Sequence, residues 1–188
     1  MDRYSRSIYL SLFVVALLIV ALLVSAVTIT FPVGLDGQIT HVEGEVKLGA
    51  PGQTPAALAD ADSIPQTLRP GERVRVEPGG AATVMFFNDG TATLSGPAEL
   101  LLRESSRRGT TLEHTRIRDH DGVEYALTIA QHTGTIDYRF DRADPVFDGV
   151  TIRVQLPGEV YIPTAPCWRI EIDAAGQADA RTIPCPSF

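Results

Sequence analysis

An all-β fold, an antiparallel β-sandwich or roll of short strands and hairpins, is predicted by three observations. The first is the stretch Ala82–Leu102, where the apolar run Val84-Met85-Phe86-Phe87 meets the turn-forming Asn88-Asp89-Gly90 and returns as Thr91-Ala92-Thr93-Leu94. A tight hairpin needs residues that tolerate positive φ, and Asn, Asp and Gly supply them. The second is turn chemistry roughly every ten residues, as sandwiches and barrels require. The third is the lack of any helical period beyond residue 35. One N-terminal apolar segment is predicted to precede this domain as a transmembrane helix.

That segment comes first in the chain. No charge occurs between Arg6 and Asp36, and Ile8 to Ile29 is almost wholly Leu, Val, Ile, Ala and Phe. As a helix, these residues would rise about 33 Å, enough for a bilayer core. Arg3 and Arg6 precede the run while Asp36, Glu43 and Glu45 follow it, which sets residues 1–7 in the cytoplasm and the rest outside. Val24-Ser25-Ala26 would serve as a signal-peptidase site, but the run continues past it and exceeds a signal peptide's apolar region. The expectation is a retained signal anchor over 8–31, a linker over 32–36 and an extracytoplasmic domain over 37–188, giving a single-pass protein of a bacterial plasma membrane.

Within the domain, Ile39–Leu48 alternates, with Val42, Gly44, Val46 and Leu48 on one face and Glu43, Glu45 and Lys47 on the other. Gly49–Gln66 is expected as an exposed loop in which Ala56–Ala59 could make one helical turn. Leu68–Gly71 is a turn, Val74–Val76 a strand and Pro78–Gly80 a turn into the Ala82 hairpin. Val84 to Phe87 suits a strand buried on both faces. Gly96-Pro97 ends the return strand, and Arg103–Thr110 is a polar, mobile piece. A second hairpin is expected from Leu112–His120 and Val123–Gln131 around Asp121-Gly122. Further strands are Ile136–Phe140, Val150–Leu156, Val160–Ile162, Trp168–Ile172 and Ala178–Ile183.

The charge balance limits partners. The chain of 188 residues carries a net charge of −7, and because Asp2, Arg3 and Arg6 sit at its start, the part beyond residue 35 carries −8. That argues against nucleic acid and anionic lipid head groups. Lys47 is the one lysine.

No pattern for chemistry stands out. Asp119-His120-Asp121-Gly122 with His114 lacks the ligand register of a calcium loop and the cluster zinc needs, so it is read as a hairpin turn. Asp137, Asp141, Asp144 and Asp148 are interleaved with Arg139 and Arg142, and are read as an exposed mixed-charge loop. Serines and histidines form no nucleophile motif, and Gly79-Gly80 opens no phosphate-binding helix. The expectation is no enzyme, no cofactor and no metal.

The only cysteines, Cys167 and Cys185, are expected to form a disulfide. If the last hairpin turns about Gly176, the two stand directly opposite, each preceded by a proline (Pro166, Pro184).

The order of motifs adds a family expectation. Gly37, Ile39, Val42, Gly44 and Val46, then Leu68, Gly71 and Val74, then Ala82, Val84 and Phe86 with Asn88-Asp89-Gly90-Thr91, resemble the FecR-like domain. That is an extracytoplasmic β domain named after a bacterial regulator of ferric-citrate uptake. The resemblance covers Gly37–Leu102 well and, more loosely, Leu127–Ile129 and Val150–Asp173. It implies a binding or scaffold module for another envelope component or a cell-wall polymer, with the Asp-Gly pair a turn and not a catalytic site. The founding regulators act on a sigma factor through a long cytoplasmic segment. Met1–Ser7 is too short for that, which leaves an anchored outer module as the expectation; the alternative is a sensory or regulatory subunit that signals through its single helix to a membrane partner.

Overall fold

The structure, a computed structural model, describes residues 3–28, 30–58, 64–87, 90–110, 124–140 and 150–185, with the side chains of the N-terminal helix described over 11–25. It divides into two units, Met1–Pro32 with Arg108–Val123, and Val33–Arg107 with Glu124–Phe188.

Helix α1 spans Arg3–Thr28. Its large apolar side chains described, among them Leu12, Phe13, Leu17 and Leu22, are exposed. Among the described residues no helix is long and apolar enough to cross a membrane. This corrects the expected transmembrane anchor over 8–31 and the single-pass plasma-membrane localisation derived from it.

Everything else described is β structure. Strand β1 (Thr30–Gly34) leads to Leu35, whose N–H donates to Ser105 C=O at 2.8 Å. The run Ile39–Leu48 is two strands, β2 (Gly37–Glu43) and β3 (Val46–Gly49). Gly44 divides them with φ +71°, a value that leaves β geometry and that glycine adopts at little cost. Each then takes its own partners. β2 lies between β5 (Gln66–Leu68) and β7 (Ala81–Met85), while β3 lies between β4 (Ala56–Ala57) and β6 (Arg73–Val76). The expected helical turn at Ala56 is therefore a short edge strand.

Two long strands hold the domain together by changing partners midway. β8 (Thr91–Thr110) pairs with β7 through Thr91–Ser95 and with β6 through Ala98–Leu101. Gly96-Pro97, expected to end the strand, sits at this exchange, and the polar Arg103–Thr110 continues as strand. β9 (Glu124–Arg139) pairs with β10 (Val150–Leu156) through Tyr125–Ala130 and with β12 (Cys167–Ile172) through Gly134–Arg139. The β9–β10 pairing is parallel, so the sheet is not purely antiparallel as expected. Parallel neighbours need a crossover, and the second half of β9 is part of it. β11 (Glu159–Tyr161) folds back on β10, and β13 (Ala178–Thr182) on β12.

The core lies between these strands, where Ile39, Leu68, Val84, Leu94, Leu127 and Ile170 are fully buried. An aromatic column runs through it: Phe86 stacks on Phe140 (6.2 Å between centroids), Phe140 on Trp168 (5.5 Å) and Trp168 on Tyr138 (5.3 Å). Along β7 burial alternates, with Val84 and Phe86 inside and Met85 and Phe87 half-buried. The strand thus has one core face, not the two expected.

Candidate functional site: the β10–β11 edge

The sequence-derived candidates separate on the structure. Asn88 and Asp89 lie outside the described residues, as do His114, Asp119, His120, Asp121 and Gly122, and Asp141, Arg142, Asp144 and Asp148. Gly90 is described, and its φ is not positive, contrary to expectation. It is required instead by close approach, since a Cβ there would sit 2.3 Å from Phe140 Cε1. That ring is buried and stacked between Phe86 and Trp168 in the aromatic column. Gly90→Ala is expected to cost about 1–3 kcal/mol through overpacking, read as a lowered denaturant midpoint of the full chain.

Cys167 and Cys185 form a disulfide with Cα atoms 5.4 Å apart. Its route differs from the expected one. The last hairpin closes between Asp173 and Gln177, so the register centres on Ala175 and not on Gly176. Asp173 Oδ1 accepts from the N–H groups of Ala175 (2.8 Å) and Gln177 (2.9 Å), and Gly176 takes φ +79°. A three-residue loop ending in a left-handed glycine moves the centre of the hairpin by one residue and each cross-strand partner by two. Ile183, not Cys185, then faces Cys167, its N–H donating to Cys167 C=O at 3.1 Å. Cys185 reaches the bond diagonally because the chain leaves the ladder at Pro184, which has no donor to give. Removing the bond as C167S/C185S should cost about 3 kcal/mol, given the 18-residue separation, and lower the thermal midpoint of the full chain. Mass spectrometry of the non-reduced chain should find no alkylatable thiol.

Ionisable side chains in the described domain largely satisfy one another. Asp137 holds Arg169 through both carboxylate oxygens, the second at 2.7 Å, which raises the guanidinium's pKa. Lys47 Nζ donates to Glu77 Oε1 at 2.8 Å and lies 2.9 Å from Glu45. The hydrogen bond from Lys47, helped by Arg75, holds the Glu77 carboxyl below its ordinary 4.5. A carboxylate whose pKa is lowered by folding stabilises the fold above the ordinary value and loses that contribution as pH falls through the lowered one. The midpoints of wild type and E77Q should therefore converge as pH is taken below about 4.5. In the interior, Gln131 Nε2 donates to the carbonyls of Gly134 (2.8 Å) and Ile170 (3.0 Å), and Tyr138 Oη donates to Gln131 Oε1 (3.1 Å). Burial raises the Tyr138 pKa strongly, so the phenol stays a donor. These groups tie the middle of β9 to β12. Among the described residues no three His, Cys, Asp or Glu side chains gather as a metal site would need.

What remains is the end of the sheet. β10 and β11 join through Pro157-Gly158, with Gly158 at φ +87°. Alternation puts Ile152, Val154 and Leu156 inside and Thr151, Arg153 and Gln155 outside. Val160 pairs with Gln155, so it shares this outer face, and Ile162 follows on the same parity. Val160 and Ile162 are 56% and 62% exposed. Where the chain leaves β10 after Tyr161, a notch of about 160 Å³ opens, lined by Val150, Thr151, Ile152, Ile162 and Pro163. Small-molecule sites usually run to roughly 300–1,000 Å³, so this one has room for a single aliphatic side chain and not for a metabolite.

None of Thr151, Arg153, Val160 or Ile162 was singled out from the sequence. The available signal was parity: in Val160-Tyr161-Ile162, the apolar residues at both ends fall on the solvent side once Pro157-Gly158 sets the hairpin.

With this geometry established, comparison of the chain with known protein families, with curated proteins and with solved structures gives no match.

Proposed function

We propose that the β domain is a non-catalytic, FecR-like binding module that recognises another protein through the outer face of β10 and β11. The observation that carries this reading is the pair of exposed aliphatics, Val160 and Ile162, beside a side-chain-sized notch. Elsewhere on the strands, the exposed large apolar side chains among the described residues are Phe31 and Val33 of β1, both less exposed. Exposed aliphatics grouped around a depression mark contact surfaces more often than chance exposure does. A polymer of sugars would call for aromatic platforms and polar forks, whereas this face offers branched aliphatics, so a protein is the favoured partner. The Cys167–Cys185 bond suits work where disulfides persist.

Site-specific photocrosslinking in the native cell tests the reading. A photoreactive residue at Val160 should give one discrete protein adduct, and the same residue at Asp179, on an exposed strand remote in the pairing order, should give none. Equal labelling at the two positions, or none at either, would overturn it.

A further inference from the structure

We infer that the partner presents an extended segment in which an aliphatic side chain is followed or preceded, two residues away, by a carboxylate. This rests on the binding-module reading above and names the chemistry it takes. Three features lead to it.

The notch accepts the aliphatic group. Its walls are Val150, Ile152, Ile162 and Pro163, with the Thr151 methyl-bearing side chain at the rim, so nothing ionised lines it.

The charge beside it is positive. Arg153 is exposed and sits two residues from Thr151 on the same outer face. Its neighbour across the parallel pairing is Thr128, and across the β10–β11 hairpin the next outward residues are Val160 and Ile162. On β11 and on the part of β9 that pairs with β10, the acid on this face among the described residues is Glu124, four residues along β9 from Thr128, roughly 13 Å away at 3.3 Å per residue. Glu159 lies on the opposite parity, paired with Leu156. Among the described residues no salt bridge joins Arg153 to an acid of β9 or β11, and a carboxylate complements it. Successive same-face positions on a strand are about 7 Å apart, which sets the two-residue spacing in an extended partner.

The main chain contributes little. β11 is only three residues long, and Pro163 removes a donor just beyond it, so the edge resists a full added strand. Recognition then falls to the side chains.

The test uses the full chain and a fluorescein-labelled heptapeptide, Thr-Asp-Thr-Leu-Thr-Asp-Thr, followed by fluorescence anisotropy. Two control peptides replace both Asp by Lys, or Leu by Ala. The Asp/Leu peptide should bind, and each control should bind roughly tenfold more weakly or worse. I162S should weaken the Asp/Leu peptide by a similar factor, and R153E should reverse the preference in favour of the Lys peptide. Both substitutions are at exposed positions, so an unchanged thermal midpoint shows that the fold is kept. No binding of the Asp/Leu peptide, or an R153E chain with the wild-type preference, overturns the inference. If the Val160 photo-adduct persists in that case, the binding-module reading stands and only this partner chemistry fails; if the adduct is also lost, both fail.

Discussion

Gly134→Ala should destabilise the domain by about 3–5 kcal/mol, combining left-handed strain with overpacking. Gly134 has φ +82°, a conformation that side chains rarely adopt, and it is also the point where β9 crosses β8. A Cβ built there would lie 1.9 Å from Pro97 C=O oxygen and 2.6 Å from Ala98 Cα. Both are backbone atoms of the strand segment that has just exchanged partners, so relief requires moving β8 itself. Gly134 C=O also anchors the Gln131 amide, so the displacement would loosen the buried Gln131–Tyr138 link. Gly158→Ala isolates the strain from the collision. Its φ of +87° is similar, but nothing lies within 4 Å of the added methyl. That variant should cost only about 1 kcal/mol. Urea midpoints of the two full-length variants measure the difference, and equal losses would show that conformation alone decides.

The same two glycine-containing exchanges explain where sequence reasoning stopped. The β7–β8 hairpin was legible because its signals are local: Ala82, Val84 and Phe86 alternate, and the turn follows at once. β6 was legible for the same reason. Gly96-Pro97 and Gly134, by contrast, carry the usual marks of a strand end. Whether a strand stops or merely changes partner there depends on β6 and β12, which lie tens of residues away. The parallel β9–β10 pairing is equally non-local, since no turn links the two strands. In the last hairpin, Gly176 was rightly a turn residue, but its role as the left-handed end of a three-residue loop moved the register off Cys185. At the N-terminus, composition suggested a span that the described helix does not provide. The candidate site was hidden for another reason. Its residues are ordinary for a strand, and only the parity imposed by Pro157-Gly158 shows that Val160 and Ile162 face solvent.

Phe86→Ala should cost about 3–5 kcal/mol, and Phe87→Ala only about 1–2 kcal/mol. The neighbours are chemically identical, and a strand buried on both faces would make them equal. Phe86 is 4% exposed and stands at the head of the column that passes through Phe140 to Trp168 and Tyr138. Its truncation leaves a cavity that the stacked rings cannot fill, because each is held by the next and Trp168 is fully buried. Its backbone is fixed as well, with the Phe86 N–H donating to Gly90 C=O at 2.7 Å. Phe87 points the other way, half-buried, with its ring 4.9 Å from that of Tyr125 at the start of β9. Losing it removes one stacked pair and some covered apolar area, and water can occupy the space. The prediction is read from thermal midpoints of the full chain with the disulfide intact. Equal losses for the two variants would mean that β7 contributes a second core face, and the single-faced packing described here would have to be abandoned.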